Sequence, residues 1–277
     1  MASADDAVPI AQLVDERRYL LDVAYVMLGS RREAERVVDA AYRRWFGLPD
    51  PARARISEPR AWLAGVTGSI CLSRLTLPGR DPGPGEKGTR GSVRQGGPVE
   101  EANRVLLDAL DSLSPAERAA FLLADVARPA EPQCAESAER ARRGPRARPT
   151  PTGQHDEAAR AVRRACAEQD KGFLVSLLSA DATAWFDAGG KVRAPAGPVH
   201  GDVRVARSLL VLLAPHPRTT VDTRAVNGRT GLVVRYGRQV AAVISLDLAG
   251  PHVVQVFVTL NPDKLRTWNR PRPPGSG

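Results

Sequence analysis

The chain has few cysteines and no long apolar run, and each shortage excludes a class of protein. Cys71, Cys134 and Cys166 are an odd number without the short spacings of zinc ligands. They therefore predict neither a disulfide framework nor a metal site. No stretch reaches the ~18 apolar residues of a membrane span, and the N-terminus lacks a basic-then-apolar signal pattern. We expect a cytoplasmic protein without a membrane partner.

The sequence also lacks the short motifs of several large enzyme classes. It contains no phosphate-binding glycine loop, no nucleophile elbow and no paired His-Glu metal motif. The segment GPGEKGT comes closest to a phosphate loop, but its spacing is wrong and no strand precedes it. We therefore expect no cofactor.

The net charge of +9 is unevenly distributed along the 277 residues. Lys and Arg number 17 against 18 Asp and Glu in residues 1–126, 6 against 3 in residues 127–150, and 17 against 10 in residues 151–277. Because the excess lies mainly in the last half, the total alone does not indicate a nucleic-acid-binding protein.

Apolar periodicity divides the chain into two folded parts with a polar middle. Residues 1–78 hold three segments with helical spacing, so we expect a small helical domain there. Residues 79–98 are dense in Gly, Pro and charge and predict a flexible linker. Residues 99–148 predict further helices followed by a basic linker, and residues 271–277 a disordered tail.

In residues 149–270 the spacing of the apolar residues changes from helical to alternating. The segment QHDEAARAVRRACAEQDKGFLVSLLSADATAWFD predicts two helices running into a strand. A third helix precedes four alternating runs, TTVDTRAV, GLVVRY, QVAAVISLDL and HVVQVFVTL. The intervening NGRTG, GRQ and AGP are typical of hairpin turns. Helices followed by a meander of strands predict an α+β domain, a curved antiparallel sheet wrapped on helices.

Five segments occur in one order along the chain: AYVMLGS, EPRAWL, LDSLSPAERAAFLLADV, DAGGKVRA and NPDKL. In them the chain resembles, over about residues 12–268, the extracytoplasmic-function (ECF) sigma factors of the SigJ-like group, which carry a C-terminal SnoaL-like domain. The resemblance implies a multidomain protein with an all-α sigma-like half and an α+β SnoaL-like cone. It also implies RNA polymerase core as a partner, and a regulatory role for Asn261, Pro262, Asp263, Lys264 and Leu265.

The polymerase-binding helix of that family usually resembles DAEDVVQEAFLRW, where this chain has EAERVVDAAYRRW. Glu33 and Glu35 keep two acids, Arg36 replaces a third, and Asp39 with Ala40 replaces a Gln-Glu pair. If polymerase contact is retained, Glu33, Glu35, Arg36 and Asp39 face it. A reversed charge in a complementary contact weakens binding.

The two DNA-contacting segments depart further from the family pattern. In the promoter-melting helix, Ser69 and Thr76 stand at usual arginines, which leaves Arg74 as a candidate phosphate contact. In the helix-turn-helix, the first helix is reduced to ARPA, so the recognition helix loses its support. Its remaining arginines predict at most weak, non-specific DNA contact; they include Arg140, Arg142 and Arg143.

The SnoaL-like domain departs less from its family, and the resemblance implies an internal pocket for a small organic ligand. Asp187 and His200 are the candidate acid-base pair, and Trp185, Tyr236 and Asp247 are candidate lining groups. Alternatively, Asp187 simply caps the AGG turn, His200 is a surface residue, Trp185 packs in the core, and the other two point outward.

Three functions remain open on the sequence alone. The first is a sigma-derived transcription regulator with impaired or absent autonomous promoter recognition and a ligand-sensing C-terminal domain. The second is a repurposed protein whose pocket is an enzyme of cyclase, isomerase or hydrolase type, or a small-molecule binder, in secondary metabolism. The third is a decoy that occupies a partner of a true sigma factor.

Overall fold

A computed structural model of the protein describes residues 7–76 and 152–270, which form two units. Residues 16–76 make up the helical unit. Residues 7–15 together with residues 152–270 make up the C-terminal unit. The predicted linker at 79–98, the helices and basic linker at 99–148, and the tail at 271–277 lie outside the described residues.

The helical unit is built from helices whose ends the sequence marks clearly. Gly29, with φ of +66°, ends the first helix, and the Ser30 hydroxyl accepts a hydrogen bond from the Glu33 amide at the start of the second. The bounds are α1 Ile10–Leu28, α2 Arg31–Gly47, α3 Asp50–Arg53 and α4 Pro59–Thr76.

The core of the helical unit is centred on aromatic side chains from α2 and α4. Trp62 and Tyr42 are fully buried, and the Trp45 and Trp62 rings meet edge to face with centroids 5.4 Å apart. The Tyr42 hydroxyl donates to Glu16 Oε1 at 3.1 Å, which satisfies a buried carboxylate. The apolar stripes that predicted these helices are the faces that meet in this core.

The C-terminal unit contains every helix and strand that the sequence predicted, in the predicted order. Hairpin turns at Asn227-Gly228, Gly237 and Gly250 have positive φ. The bounds are α5 Thr152–Glu168, α6 Lys171–Leu177, β1 Leu178–Asp187, β2 Val199–His200, α7 Asp202–Leu212, β3 Thr219–Val226, β4 Arg229–Tyr236, β5 Gln239–Ala249, β6 His252–Thr259 and α8 Pro262–Asn269.

The six strands form one sheet in the order β2-β1-β6-β5-β4-β3. All neighbours are antiparallel except β1 and β6, which are parallel, with Asp187 opposite Thr259. The predicted fold class is confirmed, with a mixed sheet in place of a wholly antiparallel one. As a result, the C-terminal ends of the first and last strands lie side by side.

The two faces of this sheet are covered differently. One face packs against α5, α6 and α7 in a large apolar cluster that includes Leu232 and Ile244. The opposite face carries α8, whose Leu265 is buried with Val233 and Val243. Because side chains alternate along a strand, adjacent residues of β1 and β5 belong to different environments.

Candidate functional site

On the helical unit, Glu33 joins two of the predicted functional surfaces. Its Oε1 accepts from Arg36 and its Oε2 from Arg74, both at 2.6 Å. Arg36 lies one helical turn further along α2, whereas Arg74 belongs to α4. A candidate polymerase contact and a candidate phosphate contact are therefore paired with the same carboxylate.

Asp39, another predicted polymerase-facing residue, is tied to helix α1. Its Oδ1 accepts from Arg17 Nη2 at 2.9 Å, and the Arg17 side chain is only 12% exposed. Glu35, by contrast, has a long 4.0 Å contact with the highly exposed Arg31. The Glu35 side chain is 39% exposed. Arg140, Arg142 and Arg143 lie outside the described residues.

On the C-terminal unit, the motifs DAGGKVRA and NPDKL meet at one edge of the sheet. Asp187 ends β1, and its backbone oxygen accepts from the amides of Leu260 and Asn261, both at 2.8 Å. Its Oδ2 accepts from Lys264 Nζ at 2.8 Å. Lys191 forms a second ion pair between the motifs, with Asp263 at 2.7 Å.

Each residue of NPDKL has a role inside this unit. The Asn261 side chain accepts from the Asp263 amide and caps α8, and Pro262 occupies its first turn. Leu265 is buried under the sheet. Gly189, with φ of +59°, lies so close to Asn261 that a Cβ would collide with the Asn261 amide group. The two motifs therefore form a single interlocked structure, the β1–α8 junction.

Asp187 and His200 are not brought together. Asp187 is 1% exposed, and its Oδ1 is buried without a hydrogen-bond partner. His200 is exposed on β2 opposite Thr183, whose hydroxyl lies 3.1 Å from His200 Nδ1. Thr183 and Asp187 are four positions apart along β1, roughly 13 Å at the usual rise per residue.

The three candidate lining residues lie in three different surroundings. Trp185 lies on the same side of β1 as Asp187, facing away from the large cluster, and its indole N–H is buried without an acceptor. Tyr236 belongs to the large cluster and donates its hydroxyl proton to Asp15. Asp247 is half-exposed beside Arg229, 3.8 Å away.

Asp247 does line an open cleft of about 220 Å³, which lies beyond the Leu232–Ile244 pair where the register of β4 with β5 ends. The back of this cleft includes His155 of α5, which sequence reasoning missed. The His155 ring is 2% exposed, and its Nε2 lies 3.0 Å from the Leu246 carbonyl oxygen. Since a carbonyl only accepts, Nε2 is protonated, and Nδ1 is left buried without a partner. The period of α5 gave no means to distinguish this residue from an exposed histidine.

The described residues contain no group of three His, Cys, Asp or Glu side chains placed to hold a metal ion. Two of the cysteines are buried thiols. Burial raises the pKa of Cys166 to about 12, and it raises that of Cys71 to about 11 against the lowering effect of the Arg74 charge. Both therefore remain protonated and unreactive near neutral pH. Within residues 7–76 and 152–270, no helix is long and apolar enough to cross a membrane.

Structural comparisons give only low similarity scores. The crystal structure of SigJ from Mycobacterium tuberculosis matches 91% of this chain and 96% of its own, with 22% identity and a TM-score of 0.35. An NTF2-like protein of unknown function from Mesorhizobium loti matches 42% of this chain and 99% of its own, with 14% identity and a TM-score of 0.32. The strand order and packing of the two units define the fold without these neighbours.

Sequence similarity to known proteins extends over most of the chain. No family model matches the chain. The ECF RNA polymerase sigma factor SigJ of Mycobacterium tuberculosis is 27% identical over 286 aligned positions, covering 90% of each chain. The probable ECF RNA polymerase sigma factor SigI of the same species is 26% identical over 275 positions, covering 90% of this chain and 92% of its own. The resemblance carried by the five motifs is thus confirmed over 90% of the chain, which is similar in sequence to the ECF RNA polymerase sigma factors SigJ and SigI.

Proposed function

We propose that the protein is a sigma-derived transcription regulator whose helical unit binds core RNA polymerase through helix α2. The observation that carries this proposal is the similarity to SigJ, which covers 90% of both chains. It is supported by the intact core of the helical unit, where Tyr42, Trp45 and Trp62 hold α2 against α4. A retained core keeps the exposed side of α2 in a defined geometry.

In this proposal α2 binds polymerase more weakly than the usual family helix, but it still binds. Arg36 introduces a positive charge, but Glu33 lies 2.6 Å away and partly neutralises it. Exposed ion pairs of this kind contribute only about 0–1 kcal/mol. A basic polymerase surface is therefore able to draw Glu33 away from its arginines at small cost, while Glu35 remains accessible.

Autonomous promoter recognition is impaired or absent. In α4 the Ser73 hydroxyl donates to the backbone carbonyl of Ser69 at 2.9 Å, so it bonds within its own helix. Neither serine carries the charge that is usual at its position in the family. Arg74, the remaining basic candidate, is paired with Glu33. The shortened helix-turn-helix inferred from ARPA adds to this proposal, although it lies outside the described residues.

The polymerase proposal is tested by mixing the purified protein with core RNA polymerase and separating complexes by size. We expect a complex that dissociates more readily than that of SigJ measured in parallel, and no run-off transcript from a promoter template. The absence of any complex would contradict polymerase binding. A transcript made without another sigma factor would contradict impaired promoter recognition.

For the C-terminal unit we propose small-molecule binding at the cleft beside Asp247 and Arg229, which would make the unit a sensor. The rim of the cleft carries one charge of each sign, and its walls include Phe257 and Val226. Such a site favours small molecules with little net charge. A ligand screen by thermal shift should give hits that disappear in Asp247→Asn. Hits that persist unchanged would place the ligand elsewhere.

The alternative proposal is an enzyme that uses Asp187 and His200. The observation in its favour is the buried carboxylate of Asp187, with one oxygen lacking a hydrogen-bond partner. Thr183, the strand partner of His200, lies roughly 13 Å from Asp187 along β1, so in this proposal the two residues act on different parts of a substrate. Substituting Asp187→Asn and His200→Gln one at a time, and assaying turnover of screened ligands, tests this alternative. Unchanged turnover in both variants would exclude them.

A further inference from the structure

The first turns of helix α1 fold with the C-terminal unit, although the whole helical unit lies between them and residues 152–270 in sequence. Ile10 and Leu13 are 1% and 2% exposed. They belong to the same apolar cluster as Leu212 and Tyr236, from α7 and β4. The two aliphatic side chains are three residues apart and so lie on one side of the helix.

A polar contact fixes this segment at its C-terminal end. The Tyr236 hydroxyl donates to Asp15 Oδ2 at 2.6 Å, a short bond to a carboxylate. The Arg218 guanidinium lies over the Tyr236 ring, 4.4 Å from its centroid, and its Nη1 donates to the Tyr236 hydroxyl oxygen at 3.4 Å. The His216 ring lies 5.2 Å from the same ring. The contacts with Arg218 and His216 therefore hold the Tyr236 ring with its hydroxyl directed to Asp15.

The frame around Tyr236 is built without the N-terminal segment. The Gly237 amide donates to the Arg218 carbonyl at 2.7 Å, and Thr219 pairs with Tyr236 across β3 and β4. The six strands of the sheet pair only with one another, and residues 7–15 contribute side chains to the unit but no strand. The strand pairing of the sheet therefore includes no hydrogen bond to residues 7–15.

From these contacts we infer that the C-terminal unit carries a helix-binding site framed by His216, Arg218 and Tyr236, and that residues 7–15 of the same chain are its ligand. The recognised pattern is a helix with aliphatic residues three apart, followed by a carboxylate. The inference depends on the C-terminal unit alone and not on the proposed contact with polymerase. The two proposals can therefore fail separately.

The test uses the full chain with Leu13→Asp, which places a charge against the apolar cluster. Amide hydrogen exchange should rise by about tenfold or more in residues 219–242, because the site loses its cover. Adding a synthetic wild-type peptide of residues 7–28 should restore the protection, whereas the same peptide with Leu13→Asp should not. Gln12→Asp, which changes an exposed residue of the same helix, is the control and should leave exchange unchanged.

A second variant covers the case in which Leu13→Asp does not fold. Tyr236→Phe keeps the ring and removes only the hydroxyl that reaches Asp15, so the chain should fold and exchange faster in the same residues, with Asp15→Asn giving a similar rise. Unchanged exchange in Tyr236→Phe, or a folded Leu13→Asp chain that the wild-type peptide fails to protect, would overturn the inference.

Discussion

The ammonium group of Lys264 lies 2.8 Å from Oδ2 of Asp187, a carboxylate that is almost completely buried at the end of β1. Lys264 itself is 40% exposed, so this pair connects a buried charge with the surface. The pair joins the two most family-like motifs of the C-terminal unit, DAGGKVRA and NPDKL. We therefore assign both motifs a role in holding α8 to the sheet.

Lys264→Met should destabilise the C-terminal unit by about 1–3 kcal/mol, because it leaves the buried carboxylate of Asp187 without its counter-charge. Lys264→Arg keeps the charge and serves as the control. The double variant Lys264→Met with Asp187→Asn should recover part of the loss, since no uncompensated charge remains. Urea unfolding followed by circular dichroism measures all three. Equal stability of Lys264→Met and wild type would show that the pair contributes nothing.

Gly189→Ala should be more harmful than Gly250→Ala, although both glycines have nearly the same φ, +59° and +60°. Both substitutions strain the left-handed backbone by roughly 1–2 kcal/mol. At Gly189 the new methyl group also meets the Asn261 side chain, whereas at Gly250 it meets open space. We expect an additional loss of about 1–3 kcal/mol from the steric conflict. Similar unfolding midpoints for the two variants would contradict close packing at the β1–α8 junction.

Cys71 and Cys166 should resist alkylation in the native protein at pH 8. Burial raises their pKa values to about 11 and about 12, so roughly one Cys71 thiol in a thousand is ionised at that pH. In the unfolded chain the thiols ionise near the ordinary value of 9.0. The unfolded state then binds fewer protons, and these thiols make stability fall as pH rises above that value. Peptide mapping after iodoacetamide treatment, with and without urea, should show modification of Cys71 and Cys166 only in urea.

Arg36→Glu should strengthen binding to core RNA polymerase by roughly tenfold while slightly destabilising the helical unit. The change restores an acid at the position that is acidic in the family, but it also places two carboxylates one helical turn apart. The loss of the Glu33 pair should lower the free energy of unfolding by about 0.2–1 kcal/mol. Anisotropy titration of labelled protein with polymerase measures the affinity. Arg32→Glu makes the same charge change elsewhere on α2, and an equal gain there would argue against a specific role for Arg36.

Much of the fold could be predicted because its elements depend on residues close together in sequence. The alternation in HVVQVFVTL and the apolar stripe of α2 each need only a few neighbouring residues to indicate a strand or a helix. The parallel pairing of β1 with β6 could not be predicted in the same way. It joins two strands that are separated by most of the C-terminal unit, and no local pattern encodes that partnership.

The candidate sites were less predictable for the same reason. The spacing of Glu33 and Arg36 predicts their contact on one helix, but Arg74 reaches Glu33 only because α4 packs against α2. Asp187 and His200 appeared to be a possible pair in sequence, whereas their positions on β1 and β2 keep them apart. Tyr236 was a candidate for ligand binding, and the structure instead places its hydroxyl against Asp15.

By itself, the sequence determined the order and type of most of the described helices and strands, and the resemblance to ECF sigma factors. These follow from periodicity and short motifs, which are local properties of the chain. Tertiary structure alone decided that Asp187 meets Lys264, that Glu33 holds two arginines, and that residues 7–15 pack with the C-terminal unit. Such contacts depend on strand pairing and helix packing over long sequence separations, where burial of apolar surface selects the partner and polar groups then pair with whatever lies within reach.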